Sequence, residues 1–165
     1  MIFLQVGLKR KIILIHNKRN NPYSFDLLYR ASRDGNTAVV TFHEKCDNKG
    51  PTIVIAKIAN SEQIVGGYNP FQWDSSGYKA TKDSFIFSFT NRNNIQTAKV
   101  SYPNDGYYNT SINCYSNYGP TFGGGFDLIC YNNGSWTSNN PYTYPKIDVP
   151  KSFYTDDYEV FQVIK

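Results

Sequence analysis

Ser84-Phe85-Ile86-Phe87-Ser88-Phe89 alternates without interruption, three aromatic side chains at every second position. A period of two is that of a pleated strand, whose successive side chains point to opposite faces. Asn91-Arg92-Asn93-Asn94 follows as a turn and leads into a second run, Ile95 to Val100. Upstream, Thr52 to Ile58 is dense in β-branched residues, Asn60-Ser61-Glu62 turns it, and Gln63 to Tyr68 returns, a hairpin by composition and spacing. Within it, Gly66-Gly67 predicts a bulge or a close backbone approach. Downstream, Pro103-Asn104-Asp105-Gly106 turns into Tyr107 to Tyr115. The glycine-rich stretch 119–125 precedes Phe126 to Tyr131, a polar loop runs to about Pro150, and Tyr158 to Ile164 ends the chain as a strand.

Helical signals are few. Phe25 to Tyr29 is a short apolar run closed by a capping and turn cluster, Ser32-Arg33-Asp34-Gly35. Val39, Phe42, His43 and Cys46 then fall at i, i+3, i+4 and i+7, one face of a helix that Gly50-Pro51 ends. The expected fold is mainly β with few helices: a two-sheet antiparallel β sandwich flanked by short helices. With 165 residues, 40% of them hydrophobic and 16% aromatic, the chain suits a single core of this kind.

The net charge of +4 is unevenly placed. Lys9, Arg10, Lys11, Lys18 and Arg19 all precede the first acid, Asp26, so basicity belongs to an arm over residues 1–22 and not to a face of the body. That pattern argues against nucleic-acid binding, which calls for a clustered basic surface on the folded domain. The arm ends in a linker-like Asn17 to Pro22. Its apolar patches are too short for a signal peptide or a membrane span. Cys46, Cys114 and Cys130 are odd in number and widely spaced, which points to a reducing compartment and a cytoplasmic location. Asn109-Thr110-Ser111 and Asn133-Gly134-Ser135 read as chance glycosylation triplets.

No catalytic constellation assembles. Gly119 to Gly125 lacks the Lys and the helix of a phosphate loop, and Leu128 stands where a dinucleotide fingerprint has its last glycine. His43 and Cys46 are helix neighbours, but a nucleophile needs a third group to orient the base. Zinc would need Cys114 and Cys130 from distant strands. Asp156, Asp157 and Glu159 read as solvated acids. No metal or cofactor is expected. Trp73-Asp74-Ser75-Ser76-Gly77-Tyr78 reads equally as a binding loop and as a loop pinned to the core by Trp73.

A set of motifs in order gives the chain a family likeness: 27–35 (LLYRASRDG), 42–47 (FHEKCD), Gly50-Pro51-Thr52, Gly66-Gly67-Tyr68, Trp73, 84–88 (SFIFS), 118–125 (YGPTFGGG), Asp127-Leu128 and Glu159-Val160-Phe161. Over about residues 23–165 the sequence resembles the TLDc domain family, which includes the oxidation resistance proteins. The resemblance implies a β sandwich without an established active site, a role in oxidative stress resistance, and a protein partner, the cytosolic sector of the vacuolar-type proton ATPase. It puts Asp34, Trp73, Tyr78, Tyr118, Phe122 and Asp127 forward as partner-binding candidates in a monomer, and Gly35, Gly66, Gly67, Gly123, Gly124, Gly125 and Glu159 as structural motif positions. The alternative is direct thiol antioxidant chemistry by Cys46 beside His43. Phe126 departs from the family's usual His, which weakens a catalytic or metal role for that loop. Residues 1–22 depart from the helical segment that usually precedes the first motif, which implies a shortened form with an uncovered sheet edge or groove.

Overall fold

A computed structural model describes residues 3–7, 11–15, 22–35 and 39–165, the first two stretches as backbone. The linker read at Asn17 to Pro22 lies, Pro22 apart, outside the described residues. The basic arm contains two strands, β1 (Phe3–Gly7) and β2 (Lys11–Ile15), paired antiparallel.

Two six-stranded antiparallel sheets form the body. The larger contains β3 (Ser24–Arg30), β4 (Thr52–Ile58), β5 (Ile64–Asn69), β7 (Phe85–Phe89), β8 (Ala98–Ser101) and β14 (Thr155–Ile164), in the order β3-β14-β4-β5-β7-β8. The last strand therefore lies between two early ones, so this sheet closes only when the chain's end returns. The smaller sheet is built from short strands: β6 (Tyr78–Lys79), β9 (Ile112–Asn113), β10 (Thr121–Phe122), β11 (Leu128–Cys130), β12 (Trp136–Thr137) and β13 (Ser152–Phe153), in the order β13-β12-β11-β10-β9-β6.

Between the sheets lies the main core. Val54, Ala56, Val65, Ile86 and Val160 meet Ile112, Phe122, Leu128 and Trp136 from the other layer. Gly66 and Gly67 are the close approach the sequence predicts, with no bulge, since the β4–β5 register runs unbroken. A Cβ at Gly67 would stand 2.5 Å from the Phe122 ring of the opposite sheet, and one at Gly66 2.0 Å from the Val54 carbonyl oxygen. Each glycine thus vacates the volume a neighbour occupies.

Among the described residues two short α-helices flank the sandwich. α1 (Ala31–Asp34) is a single turn where the sequence reads a capping and turn cluster; Gly35 N closes it on Ala31 O at 2.9 Å, with Gly35 at φ 113°. α2 (Val39–Cys46) matches the expected helix and buries Val39, Phe42 and Cys46. The polar loop expected to run to about Pro150 hides β12, whose Trp136 is buried against Phe153 and Tyr158. A two-residue strand is too short to show a period, so its pairing comes from neighbours remote in sequence.

Candidate functional site

Trp73 and Phe122, candidates for contact with a partner, are both fully buried. The Trp73 indole Nε1 donates to Thr52 Oγ1 at 2.9 Å, and its ring stands edge-on to Phe42 and Phe122, centroids 5.6 and 5.8 Å away. With its one polar atom satisfied inside, the indole belongs to the core, and neither residue is a partner anchor.

Asp34 and Glu159 brace the corner where β3 enters α1. Asp34 accepts from Arg30 N at 2.9 Å and Arg33 Nη2 at 2.7 Å, and Lys45 Nζ lies 3.4 Å away. The Arg33 guanidinium beside it holds this carboxyl well below the usual carboxylate range. Glu159 pairs with Arg30 at 2.6 Å across β14 and β3, whose register sets the two opposite each other. Tyr29 Oη donates to Gly35 O at 2.6 Å. These contacts hold the corner together and leave Asp34 little of its surface free.

Nor do the thiols form a reactive centre. His43 turns Nδ1 toward Asp47 Oδ1 (2.9 Å) and Nε2 toward the Tyr118 carbonyl (2.8 Å), so both nitrogens are engaged away from Cys46. Cys46 is fully buried, and burial pushes its thiol far above the ordinary value. Cys114 and Cys130, also free and buried, are pushed up to about 11 and about 12 by the same cause. The thiolate is the reactive form, and these surroundings disfavour it. Among the described residues no group of three or more His, Cys, Asp or Glu is placed to hold a metal ion.

The glycine-rich loop builds something different. Gly123, at φ 87°, takes Ser111 O as acceptor for its N–H (2.9 Å) and receives Phe126 N–H on its own carbonyl (3.2 Å). A Cβ on Gly123 would come within 1.8 Å of Asp127 Oδ2, so only glycine fits over that carboxyl. Asp127 Oδ1 accepts from the backbone N–H groups of Tyr142 (2.6 Å) and Tyr144 (2.8 Å). Its Oδ2 is buried without a partner among the described residues, and burial raises the pKa of the group. Asp127 is therefore a buried tether that draws the 142–144 segment against the glycine turn. Phe126 adopts φ 58°, a region rarely used by bulky residues, and its ring packs on Tyr118 at 5.4 Å.

Around this turn tyrosines reach the surface. Tyr78 and Tyr115, 41% and 43% exposed, stand edge to face at 5.5 Å, and Tyr78 Oη lies 3.5 Å from Gly124 O. Gly125 packs against Cβ of Tyr142. Tyr142 and Tyr107, 51% and 46% exposed, pair at 4.8 Å. Tyr118 adds a contact with Tyr131 at 6.0 Å. Of the residues put forward from the sequence, Tyr78 and Tyr118 belong to this surface and Asp127 lies beneath it. Tyr107, Tyr115, Tyr131 and Tyr142 share this surface and were not singled out, because in a chain with 14 Tyr nothing local distinguishes an exposed ring from a buried one, and Phe126 was noted only for departing from the family's His.

The TLDc domain family model matches residues 2–164, nearly the whole chain. This chain is a member of the TLDc domain family. The match fits the mainly β sandwich, and membership points to a regulatory module linked to oxidative stress. No curated protein matches the sequence. In this TLDc domain the three consecutive glycines 123–125 each meet a neighbour a Cβ would strike: Asp127 at Gly123, Thr110 at Gly124, and Asn140 with Tyr142 at Gly125. Among the described residues, no helix of the domain is long and apolar enough to cross a membrane.

Proposed function

We propose that this TLDc domain is a non-enzymatic regulator, monomeric and cytoplasmic, that supports oxidative stress resistance by binding a protein partner, the cytosolic sector of a vacuolar-type proton ATPase. The observation that carries the reading is the tyrosine surface around the Gly123–Gly125 turn. Tyrosine gives large contact area at low entropic cost, and its hydroxyl supplies adaptable hydrogen bonding, the combination used by binding surfaces. The turn is held from below by Asp127, so the rings start close to a fixed arrangement, which lowers the ordering cost of association. Nearby charges are paired, Lys79 with Asp74 at 2.5 Å and Lys82 with Asp105 at 2.8 Å. Recognition through aromatic area and hydroxyls, with little net charge, follows from that pairing.

The test is binding of the full chain to the purified cytosolic sector of the ATPase by biolayer interferometry. Wild-type protein binds, and a Tyr78→Ser/Tyr115→Ser/Tyr142→Ser variant loses affinity by at least about tenfold, the scale of a truncated hot spot. Absence of binding by the wild-type chain overturns the partner, and equal binding by the variant overturns the surface. In cells challenged with peroxide, Cys46→Ser protects as well as the parent chain does.

A further inference from the structure

Among the described residues, the contact between Tyr107 and Tyr142 differs from every other contact between two tyrosines. Their ring centroids are 4.8 Å apart, the shortest such spacing, and the residues are 46% and 51% exposed. Each of the others lacks one of these properties. Tyr29 and Tyr158 meet at 5.0 Å but are sealed in the core, Tyr78 and Tyr115 are exposed but 5.5 Å apart, and Tyr118 lies 6.0 Å from Tyr131. Trp73, Trp136 and the three thiols, which oxidants also attack, are buried. An oxidant in solution therefore meets exposed phenols first.

Both rings stand on backbone that is fixed independently of their own contact. Tyr107 N donates to Asn104 O at 3.0 Å, Asn104 N reaches across to Thr143 O at 2.8 Å, and the Thr110 and Thr143 hydroxyls meet at 3.1 Å. On the other side, Tyr142 N donates to Asp127 Oδ1 at 2.6 Å. The 104–110 turn and the 142–144 segment, remote in sequence, are thus laced together around the ring pair. Exposed side chains reorient within picoseconds to nanoseconds, so the two phenol edges meet repeatedly with no change of fold. Holding two reacting groups this close makes their coupling effectively unimolecular.

We propose that Tyr107 and Tyr142 are a site of oxidative modification, where one-electron oxidants of the peroxide-derived radical class produce an intrachain dityrosine. Each phenol loses one electron to the oxidant and its hydroxyl proton to water. The two phenoxyl radicals then join through a carbon–carbon bond between ring positions ortho to the hydroxyls. The hydrogen on each of those carbons moves to the phenoxyl oxygen, which restores both hydroxyls and both aromatic rings. In total two electrons and two protons leave the protein. The link staples the 142–144 segment to the 104–110 turn and fixes two rings of the tyrosine surface, and its formation is independent of any partner.

The experiment exposes the full chain, in dilute solution, to photolysed ruthenium tris(bipyridyl) with persulfate, which takes up the two electrons as it becomes sulfate. Monomeric product is isolated by size exclusion and cleaved before Asp105, Asp127 and Asp148, which leaves Tyr107 and Tyr142 on separate peptides, 105–126 and 127–147. Mass spectrometry is expected to find these two peptides joined with the loss of two hydrogen masses, and fragment ions to place the link at Tyr107 and Tyr142. Tyr107→Phe and Tyr142→Phe, each checked first for cooperative melting, are expected to lose that link, whereas Tyr118→Phe keeps it. Absence of dityrosine from the monomer, a principal link at Tyr78–Tyr115 or Tyr118–Tyr131, or an undiminished signal in Tyr107→Phe overturns the proposal. An equal yield of the same link from chain oxidised in urea also overturns it, because the fold would then not be what brings the rings together.

Discussion

Phe122 and Tyr142 are both aromatic, both lie in or beside the glycine-rich segment, and both depend on Gly123 to Asp127 for their position, yet one is sealed and the other is half exposed. Phe122 is on β10, where the opposite sheet leaves an opening at Gly67 that fits its ring. Tyr142 is held by its backbone N–H on Asp127, which fixes the main chain and leaves the phenol facing out. Burial here follows what the facing layer provides. A ring opposite a missing Cβ becomes core, and a ring whose backbone alone is tethered becomes surface.

The largest effect is expected where that opening is emptied. Phe122→Ala should cost about 3–5 kcal/mol, the usual range for truncating a buried aromatic, measured as the shift in denaturant midpoint at unchanged slope. Trp73→Phe keeps most of the apolar volume but removes the donor to Thr52 Oγ1, and leaving that buried hydroxyl unsatisfied should cost about 1–3 kcal/mol. A loss close to the Phe122→Ala value would show that the indole's packing, and not its hydrogen bond, decides its burial.

Asp127 sharpens the contrast through pH. Its folded-state pKa is raised above the unfolded value, so its favourable contribution is complete below the ordinary carboxylate pKa of about 4 and is lost as pH rises through the folded value. Stability of the parent relative to Asp127→Asn should therefore fall as pH increases from about 4. A difference independent of pH would mean that the backbone N–H groups of Tyr142 and Tyr144 on the carboxyl offset its burial. Asp34 has the opposite sign: its depressed pKa contributes stability at neutral pH that disappears in acid.

The smallest change in stability belongs to the exposed rings. Tyr78→Ser combined with Tyr142→Ser should leave the midpoint within about 0.5 kcal/mol of the parent, as for ordinary surface positions, while weakening partner binding. The three thiols should react with Ellman's reagent only on the time scale of unfolding, since all are buried. Rapid labelling of Cys46 in the native protein would reopen thiol chemistry.

Long periodic segments were legible without any structure. The alternation at Ser84 to Phe89, the hairpin from Thr52 to Tyr68 and the α2 face of Val39, Phe42 and Cys46 all follow from local side-chain spacing. The short strands β6 and β12 were not, because two residues carry no period and pair only once a neighbour is in place. The candidate site divided the same way. Tyr78, Tyr118 and the glycines were singled out from motif and composition; of the two readings open for Trp73 the structure gives the loop pinned to the core, and Phe122 was placed on the wrong side of the surface.

Composition, alternation and turn chemistry, all properties of adjacent residues, determined that this chain forms antiparallel sheets with one main helix. Tertiary structure alone decided which aromatics are core and that His43 faces Asp47 and Tyr118 instead of Cys46. Those outcomes depend on surfaces brought together from opposite ends of the chain, β14 between β3 and β4 above all. A side chain's burial is a sum over such distant neighbours, which no window of sequence contains.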